Sequence, residues 1–352
     1  MKKKKTVLIA GPLPPPAGGI SVHIWRLKHL LEDEFNIDFI DEASIIKKDF
    51  FNIRSFRPVT YIKKIAGADL LFIHSGSKIL KKLHILTGKL FGKKIILTLH
   101  GYGPKRKFPF RAIDAAFFKM ANKIILVNND IFNRVPLIAE KCIVKHAFLP
   151  PVMEDEPVLP VILTERITEA RKNNKVVICA NASRLDVHNN EDLYGLDMSI
   201  DVTRKLLNKG LPVSFIYTVS SLDNGSERFN KGQEMIGKLQ LKDDFLLINE
   251  KLSFVKLIES ADIVLRPTNT DGDALTVREA LYLGKKILAS DVTSRPEGTM
   301  LFKTRDAADL ESKLASLVQE SSAKTTMKEN KPEHTQEDFK GFYTRLVSEL
   351  VS

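Results

Sequence analysis

Two carboxylates, Asp271 and Glu279, stand eight positions apart in the stretch whose residue types best suit ligand chemistry. The apolar run 263–265 before them predicts a buried strand, and the helical pattern after them ends at Gly284. A helix that begins near Asp273 would offer free N–H groups and the positive end of its dipole to a phosphate. The carboxylates would then bracket a ligand whose phosphates lie over the helix start. The same pattern also fits an aspartate N-cap before an ordinary amphipathic helix.

Two other stretches place candidate binding residues at the end of a predicted strand. The strand 6–10 leads into a proline-rich loop that ends in Gly18 and Gly19, just before a helical pattern. Glycines there let the backbone approach a ligand at a helix N-terminus, but they also occur for structural reasons, and the GxGxxG pattern of dinucleotide-binding folds is absent. His100 follows the strand 95–99 beside a glycine, which suits either a site residue or a histidine in a surface turn.

Strands and helices alternate along the chain, and this alternation positions the residues above. It predicts parallel sheets covered by helices on both faces, and open parallel sheets bind ligands at the carboxyl ends of their strands. A chain of 352 residues exceeds the usual length of one domain, and the proline-rich, acidic stretch 150–157 interrupts the alternation. We therefore expect an α/β protein with two doubly wound, Rossmann-like domains that face each other across a cleft.

Composition limits the partners and the compartment. The formal net charge of +11 favours an anionic partner, such as a phosphate ester, an acidic lipid headgroup or a nucleic acid. Cys142 and Cys179 lie far apart and outside any metal-binding or redox spacing, which argues against disulfides and a zinc site and for a reducing compartment. The sequence has neither a recognisable secretory signal nor a membrane-spanning stretch, so a cytoplasmic protein is expected.

A basic stretch in the first half of the chain is a candidate membrane contact. The segment from Lys78 to Lys94 interleaves lysines with leucines and isoleucines, and a later loop carries Lys105, Arg106 and Lys107. A cationic rim around apolar side chains suits an anionic membrane surface, such as the inner face of the cell membrane, although most such runs are only solvated faces. Nucleic-acid binding is not expected, because stacking aromatic residues and a known module are missing.

Several motifs resemble the retaining GT-B glycosyltransferases of family 4, also called glycosyl transferases group 1, over most of the chain. The most specific is the segment 271–279, which is similar to the family's two glutamates separated by seven residues, with Asp271 replacing the first glutamate. The other similar segments are 14–20 with His23, 98–101, 184–185, 279–284, 289–291 and 295–298. The pattern within residues 266–280 resembles a bacterial branch of this family that is associated with surface polysaccharide assembly.

The resemblance implies a site for a nucleotide diphosphate sugar that carries UDP or GDP. Glu279 would bind the ribose hydroxyls, Asp271 would hold the transferred hexose, and Arg184 would neutralise the leaving diphosphate. The residues expected to contact the donor are Gly18, Gly19, Arg184, Arg266, Asp271, Gly272, Asp273, Ala274, Leu275 and Glu279.

The resemblance also implies the reaction and the acceptor. His100, Asp271 and Arg184 would be the catalytic residues, with His100 near the reacting carbon of the sugar or its 6-hydroxyl. The sugar would pass with retention of configuration to a glycan or a polyprenyl-linked acceptor. No metal ion or other cofactor is expected, and no carboxylate pair that suits Mg²⁺ stands out in the sequence.

One departure from the family puts catalysis in question. A basic residue usually precedes a glycine shortly after the family's arginine, but here Tyr194 stands before Gly195. The insertion 186–192 contains no lysine or arginine, so Arg266 or Lys251 would have to supply the second positive charge. This departure motivates the alternative of a degenerate GT-B protein that acts as a binding or scaffolding partner. A GT-B nucleotide-sugar epimerase is a third possibility, but the extra carboxylates and histidines it needs are not found.

The expected domains follow from the interruption at 150–157 and from the family. Residues 1–152 would form the acceptor-binding domain, and residues 153–330 the donor-binding domain. Residues 331–352 would form a C-terminal helix that crosses back to the first domain and packs there through Phe339, Phe342 and Leu346.

Overall fold

The structure is a computed structural model, and it describes residues 4–15, 18–102, 109–134, 136–223, 225–323 and 338–352. Within these residues the strands form two six-stranded parallel sheets and one two-stranded antiparallel ribbon. Contacts divide the chain into two compact units, Met1–Leu149 with Thr335–Ser352 and Pro150–His334. The predicted α/β class with two parallel sheets is confirmed.

The first unit contains a sheet with the strand order β2-β1-β3-β4-β5-β6. Its strands are β1 (Thr6–Gly11), β2 (Asn36–Asp41), β3 (Leu70–Ile73), β4 (Lys94–Leu99), β5 (Lys123–Leu126) and β6 (Cys142–Val144). Its helices are α1 (Gly19–Leu31), α2 (Pro58–Gly67), α3 (Lys78–Leu90), α4 (Phe110–Lys119), α5 (Asn129–Arg134) and the C-terminal α12 (Phe339–Val351).

Helices cover both faces of this sheet, because its central strands are apolar on both faces. Consecutive residues of β1 and β3 are fully buried, which alternating polar positions would not permit. The last helix, α12, packs against α1 and β3 of the same unit. Tyr343 and Leu346 of α12 are buried there, together with Val347.

The second unit contains a sheet with the strand order β11-β10-β7-β12-β13-β14. Its strands are β7 (Val176–Arg184), β10 (Val213–Ser221), β11 (Phe245–Asn249), β12 (Ile263–Arg266), β13 (Lys286–Ser290) and β14 (Met300–Phe302), and the ribbon pairs β8 (Val187–His188) with β9 (Glu191–Asp192). Its helices are α6 (Val161–Lys172), α7 (Leu196–Asn208), α8 (Ser226–Lys238), α9 (Phe254–Ser260), α10 (Leu275–Tyr282) and α11 (Ala307–Ala323).

Helix α3 has a different outer face from the one the sequence suggested. Lys81 was expected in the basic surface but is only 7% exposed, because it lies on the inner side of the helix. Burial lowers the pKa of Lys81 to about 8. The outer side is mainly apolar, and its exposed members are Ile79, Leu83, Leu86 and Leu90. The loop residues Lys105, Arg106 and Lys107 lie outside the described residues.

None of the described helices has both the length and the apolar composition that crossing a bilayer requires.

A glycine allows the turn before α7 to approach the end of β12. Gly195 has a φ of +68°, in the left-handed region, and a Cβ at this position would lie 2.4 Å from the carbonyl oxygen of Pro267. Gly210 has a similar φ of +71°, but a Cβ there would meet no described atom within 4 Å. Alanine substitutions at the two positions therefore share the free-energy cost of the left-handed backbone and differ in the cost of the clash.

We expect Gly195→Ala to destabilise the second unit more than Gly210→Ala does. The left-handed backbone alone costs about 1–2 kcal/mol in either variant. The clash with Pro267 adds about 1–3 kcal/mol at position 195, as overpacking does elsewhere. Urea unfolding of both variants measures the difference in the free energy of unfolding, and equal losses would contradict the close approach.

Candidate functional site

The carboxyl edge of the second sheet brings together residues from three neighbouring strands. Asn181 lies near the end of β7, Arg266 ends β12, and Ser290 ends β13. The Arg266 guanidinium lies 3.4 Å (Nη1) from the Asn181 Oδ1, and the Ser290 hydroxyl donates to the Thr268 carbonyl at 2.6 Å. These polar contacts hold the loop after β12 against both neighbours, at the edge where parallel sheets bind ligands.

Asp271 lies in that loop and is held between two arginines. Arg266 donates through Nε and Nη2 to its two carboxylate oxygens at 3.0 and 3.2 Å, and Arg295 donates through Nη1 at 2.9 Å. The Thr268 hydroxyl donates to Asp271 as well, at 3.1 Å. Side-chain exposure is only 10% for Asp271, 11% for Arg266 and 2% for Arg295. We call Arg266, Asp271 and Arg295 the arginine–aspartate cluster; it carries a formal net charge of +1.

The cluster keeps Asp271 ionised. Burial raises the pKa of this carboxyl, but the hydrogen bonds and charges of Arg266 and Arg295 outweigh burial and leave the pKa below its ordinary value. An ionised carboxylate only accepts hydrogen bonds, and Asp271 already accepts them from Arg266, Arg295, Thr268 and the Gly272 N–H, so a ligand hydroxyl would have to displace one of these donors.

Arg295 is a site residue that the sequence did not single out. It follows β13 by a few residues, and its Nε also donates to the Ser290 carbonyl at 3.2 Å. Its segment, 295–298, resembled the family, but spacing alone gave no reason to pair it with a carboxylate 24 positions earlier.

Tyr194 stands where the resemblance predicts a basic residue, and its ring contacts an arginine. The Arg266 guanidinium lies over the Tyr194 ring, 5.2 Å from its centroid, within the range of a cation–π contact. The Tyr194 hydroxyl is 2.8 Å from the Ser183 hydroxyl, and its carbonyl accepts from Tyr217 at 3.1 Å. The aromatic ring therefore positions Arg266, one of the two residues from which the second positive charge was expected.

Helix α10 begins later than the sequence indicated. Its N-cap is Ala274, whose side chain makes no capping bond, and Leu275 is its first residue. The expectation that Asp273 caps this helix is wrong, because Asp273 accepts instead from the Arg278 Nε at 2.6 Å. With an alanine at the cap, the first N–H groups of α10 have no side-chain oxygen from that position and stay suited to an anion.

Two other residues that were expected to contact the nucleotide sugar, Gly272 and Glu279, lie in the loop before α10 and on α10 itself. Gly272 is exposed, and its N–H donates to Asp271 Oδ1 at 3.0 Å. Glu279 lies on the inner side of α10 and is 6% exposed.

Arg184 lies outside the arginine–aspartate cluster and is exposed. It ends β7, its side chain is 62% exposed, and its guanidinium pairs with Asp186. An exposed ion pair is weak, so a phosphate could displace Asp186 at little cost.

In the first unit, the two glycines that were expected to contact the nucleotide sugar lie at the start of helix α1. Gly18 is the N-cap, and its N–H donates to the Ser21 hydroxyl at 2.8 Å. A Cβ at Gly19 would meet no described atom within 4 Å, so packing inside this unit does not require a glycine there. The absence of a side chain leaves the start of α1 open to a ligand.

His100 lies in a cluster of histidines at the carboxyl edge of the first sheet. It follows β4, His74 follows the neighbouring β3, and His23 lies on α1. The His74 Nδ1 is 3.1 Å from the His100 Nε2, and the His23 ring centroid lies 5.0 and 5.1 Å from theirs. Burial lowers the pKa of His23 to about 4 and lowers those of His74 and His100 well below the ordinary value. All three imidazoles are therefore neutral at pH 7.

No protein-family model matches the sequence, and no curated protein is significantly similar to it. Solved structures do match. A glycosyltransferase from Rickettsia africae is 17% identical, with a TM-score of 0.66, over 91% of this chain and 92% of that one. The Anabaena protein HepE in complex with UDP-glucose is 13% identical, with a TM-score of 0.61, over 97% and 98%. Sucrose-phosphate synthase from Thermosynechococcus elongatus is 12% identical, with a TM-score of 0.56, over 91% of each chain.

The chain has the GT-B fold. That is the fold predicted from its sequence, and the similar structures are GT-B glycosyltransferases. At 12–17% identity the likeness concerns the fold, so the roles of individual residues rest on the contacts described above.

We expect Asp271→Asn to lower the free energy of unfolding of the second unit at pH 7 by about 3–5 kcal/mol, since it leaves two buried arginines without their carboxylate. The control is Asp273→Asn: the side chain of Asp273 is 37% exposed, and its pair with Arg278 should be worth at most about 1 kcal/mol.

The pH of the measurement matters for Asp271. Because its folded-state pKa is lowered, its stabilisation is fully present above the unfolded-state pKa of about 3.9 and is lost as the pH falls through the folded-state value. Urea unfolding at pH 7 therefore measures the full effect, and equal losses in the two variants would contradict it.

Proposed function

We propose that this chain is a retaining glycosyltransferase that takes a hexose from a UDP- or GDP-sugar. The observation that carries the proposal is the arginine–aspartate cluster beside the start of α10, at the carboxyl edge of the second sheet. This arrangement combines positive charge, helix N–H groups and an ionised carboxylate, which are the groups that a diphosphate and a sugar need. The fold supports it, and the similar HepE structure contains UDP-glucose.

In the proposed site the diphosphate lies at the start of α10. Departure of the nucleotide diphosphate develops negative charge, and stabilisation of that charge is commonly the largest contribution to catalysis. The Tyr194 ring orients Arg266, which supplies one cation, and the exposed pair of Arg184 with Asp186 is weak enough for Arg184 to exchange Asp186 for a phosphate. The N–H groups after Ala274 complete the site.

Asp271 and Glu279 take separate roles in this proposal. Asp271 accepts a hydroxyl group of the hexose in place of one of its weaker donors, the Thr268 hydroxyl or the Gly272 N–H, with Arg266 and Arg295 fixing its orientation. Glu279, buried on α10, accepts the ribose hydroxyls. The loop residues Gly272 and Asp273 lie between the two, where the sugar meets the diphosphate.

The first unit would bind the acceptor. Gly18 and Gly19 leave the start of α1 open, and His100 is neutral, so it can accept from or donate to a sugar hydroxyl. We propose a glycan or polyprenyl-linked acceptor in cell-surface polysaccharide synthesis in the cytoplasm, on the basis of the motif resemblance. The transfer as proposed uses no cofactor, because arginines and helix N–H groups carry the charge of the leaving group.

A specific observation keeps a second function in view. Tyr194 stands where a second catalytic cation was expected, and Arg184 already has a partner in Asp186. A protein that binds a nucleotide sugar without transferring it would tolerate both features.

A panel of UDP- and GDP-sugars separates these functions. The transferase proposal predicts slow donor hydrolysis by the purified protein and faster release of UDP or GDP when an acceptor glycan is added. Nucleotide binding without turnover would favour the binding protein. Neither binding nor turnover with any donor would contradict both.

We expect Glu279→Gln to weaken the binding of UDP or GDP by about 10- to 100-fold, because a charged hydrogen bond contributes about 1.5–3 kcal/mol. Isothermal titration calorimetry measures the change. Glu259→Gln is the matched control, since Glu259 lies on the exposed side of α9 and, among the described residues, forms an ion pair with Lys256 alone, at 3.3 Å. An unchanged affinity in Glu279→Gln would contradict the ribose role.

We further propose that the outer face of α3 attaches the protein to an anionic membrane surface. Ile79 and Leu90 are 79% and 74% exposed, and Leu83 and Leu86 connect them along the same side. Lys78 on the same helix is exposed, and Lys82 and Lys89 are partly exposed, and a strip of apolar side chains with lysines beside it suits the boundary between headgroups and acyl chains.

The paired variant Ile79→Glu/Leu90→Glu should lower binding to vesicles that contain phosphatidylglycerol by at least about 10-fold, since each side chain loses apolar burial. Val158→Glu is the control, because Val158 is 89% exposed in the second unit. Co-sedimentation at low and high salt measures binding, which should weaken with salt. Equal binding by the wild type and the paired variant would contradict the α3 contact.

A further inference from the structure

We propose that His23, His74 and His100 bind one divalent transition-metal ion of the zinc class in the first unit. This departs from the sequence-based expectation of no metal. The site shares His100 with the proposed sugar contact, but the metal titrations below contain no nucleotide sugar and test the metal site alone. Three observations support this site: the convergence of the three rings, one buried nitrogen that lacks a partner, and one backbone contact that fixes a tautomer.

The geometry of the cluster is close to that of a three-histidine site. One nitrogen from each ring can be chosen so that all three lie within 4.8 Å of one another. At a zinc–nitrogen distance of about 2.0–2.1 Å, tetrahedral ligands lie roughly 3.4 Å apart. His74 Nδ1 and His100 Nε2 are already 3.1 Å apart. Rotation of the rings about their soft outer torsions would bring the third nitrogen in.

One of the rings carries a ligand nitrogen that the surrounding protein does not satisfy. His23 Nε2 is buried and has no hydrogen-bond partner among the described residues, whereas the ligand nitrogen of His74, Nδ1, already contacts His100 Nε2. Buried polar atoms without a partner are rare in native structures and call for an explanation, such as an unseen ion.

The backbone prepares His23 as a ligand. Its Nδ1 lies 2.6 Å from the carbonyl oxygen of Ala147, and because a carbonyl only accepts, the Nδ1 must carry the proton. The lone pair is then on Nε2. Metal-binding histidines are held in this way by a second hydrogen bond to a backbone carbonyl or carboxylate.

The ligand set indicates the class of metal. Neutral imidazoles favour zinc, cobalt, nickel or copper over magnesium and calcium, which prefer oxygen ligands. Three protein ligands leave one position open, and the partly exposed His100 is the member of the cluster nearest to solvent. Arg26 and Lys81 raise the positive potential around the cluster, so we expect weaker binding than in a site with carboxylate or thiolate ligands.

Cobalt(II) and zinc titrations of the tag-free, chelator-treated full-length protein test the site. We expect one equivalent of cobalt to bind with the visible absorption of a four-coordinate ion, and zinc to displace it. His23→Ala and His100→Ala should each weaken binding by more than about 100-fold, since loss of a mere outer partner already costs about 10–100-fold. His188→Ala, an exposed histidine in the second unit, should leave binding unchanged.

A second readout covers variants that fold poorly. Zinc should raise the melting temperature of the wild type and of His188→Ala, but not of His23→Ala or His100→Ala, with circular dichroism reporting whether each variant is folded. No binding of cobalt or zinc by the folded wild type would overturn the proposal. Binding that survives in folded His23→Ala and His100→Ala would overturn it as well, as would its loss in His188→Ala.

Discussion

The ion pairs of Asp271 are the interaction on which the candidate donor site depends. Two arginines buried at the edge of a sheet cost free energy unless a carboxylate compensates them, and Asp271 reaches both. Its position depends in turn on the loop after β12, which Ser290 ties to β13, and on Arg266, which Tyr194 and Asn181 hold against β7. One carboxylate therefore links three strands and orients the cation that would meet a diphosphate.

The fold was predictable because burial leaves a strong mark on the sequence. Strands such as β1 and β12 are continuous apolar runs, and helices such as α7 and α12 carry one apolar side. Elements without such a mark were missed. Helix α6 buries only Leu163 and Ala170 and exposes Val161 to 72%, so no apolar stripe is visible. Strands β6 and β14 are three residues long, too short for a pattern.

Site residues within one sequence motif could be predicted, whereas pairs of site residues that only tertiary contacts bring together could not. The segment 271–279 was found from its own spacing, whereas the partnership of Asp271 with Arg295 appears only when β12 and β13 lie side by side. The start of α10 was placed too early because Asp273 looks like a cap but is drawn to Arg278. Likewise, only the fold shows that Lys81 points inwards and that three distant histidines meet.

The most direct test of the account is a crystal structure of the protein with bound UDP or GDP. The account predicts the diphosphate at the start of α10 within hydrogen-bond distance of Arg266, and the ribose hydroxyls at the Glu279 carboxylate. A nucleotide bound elsewhere on the chain, or a diphosphate that contacts neither Arg266 nor the N–H groups after Ala274, would contradict it.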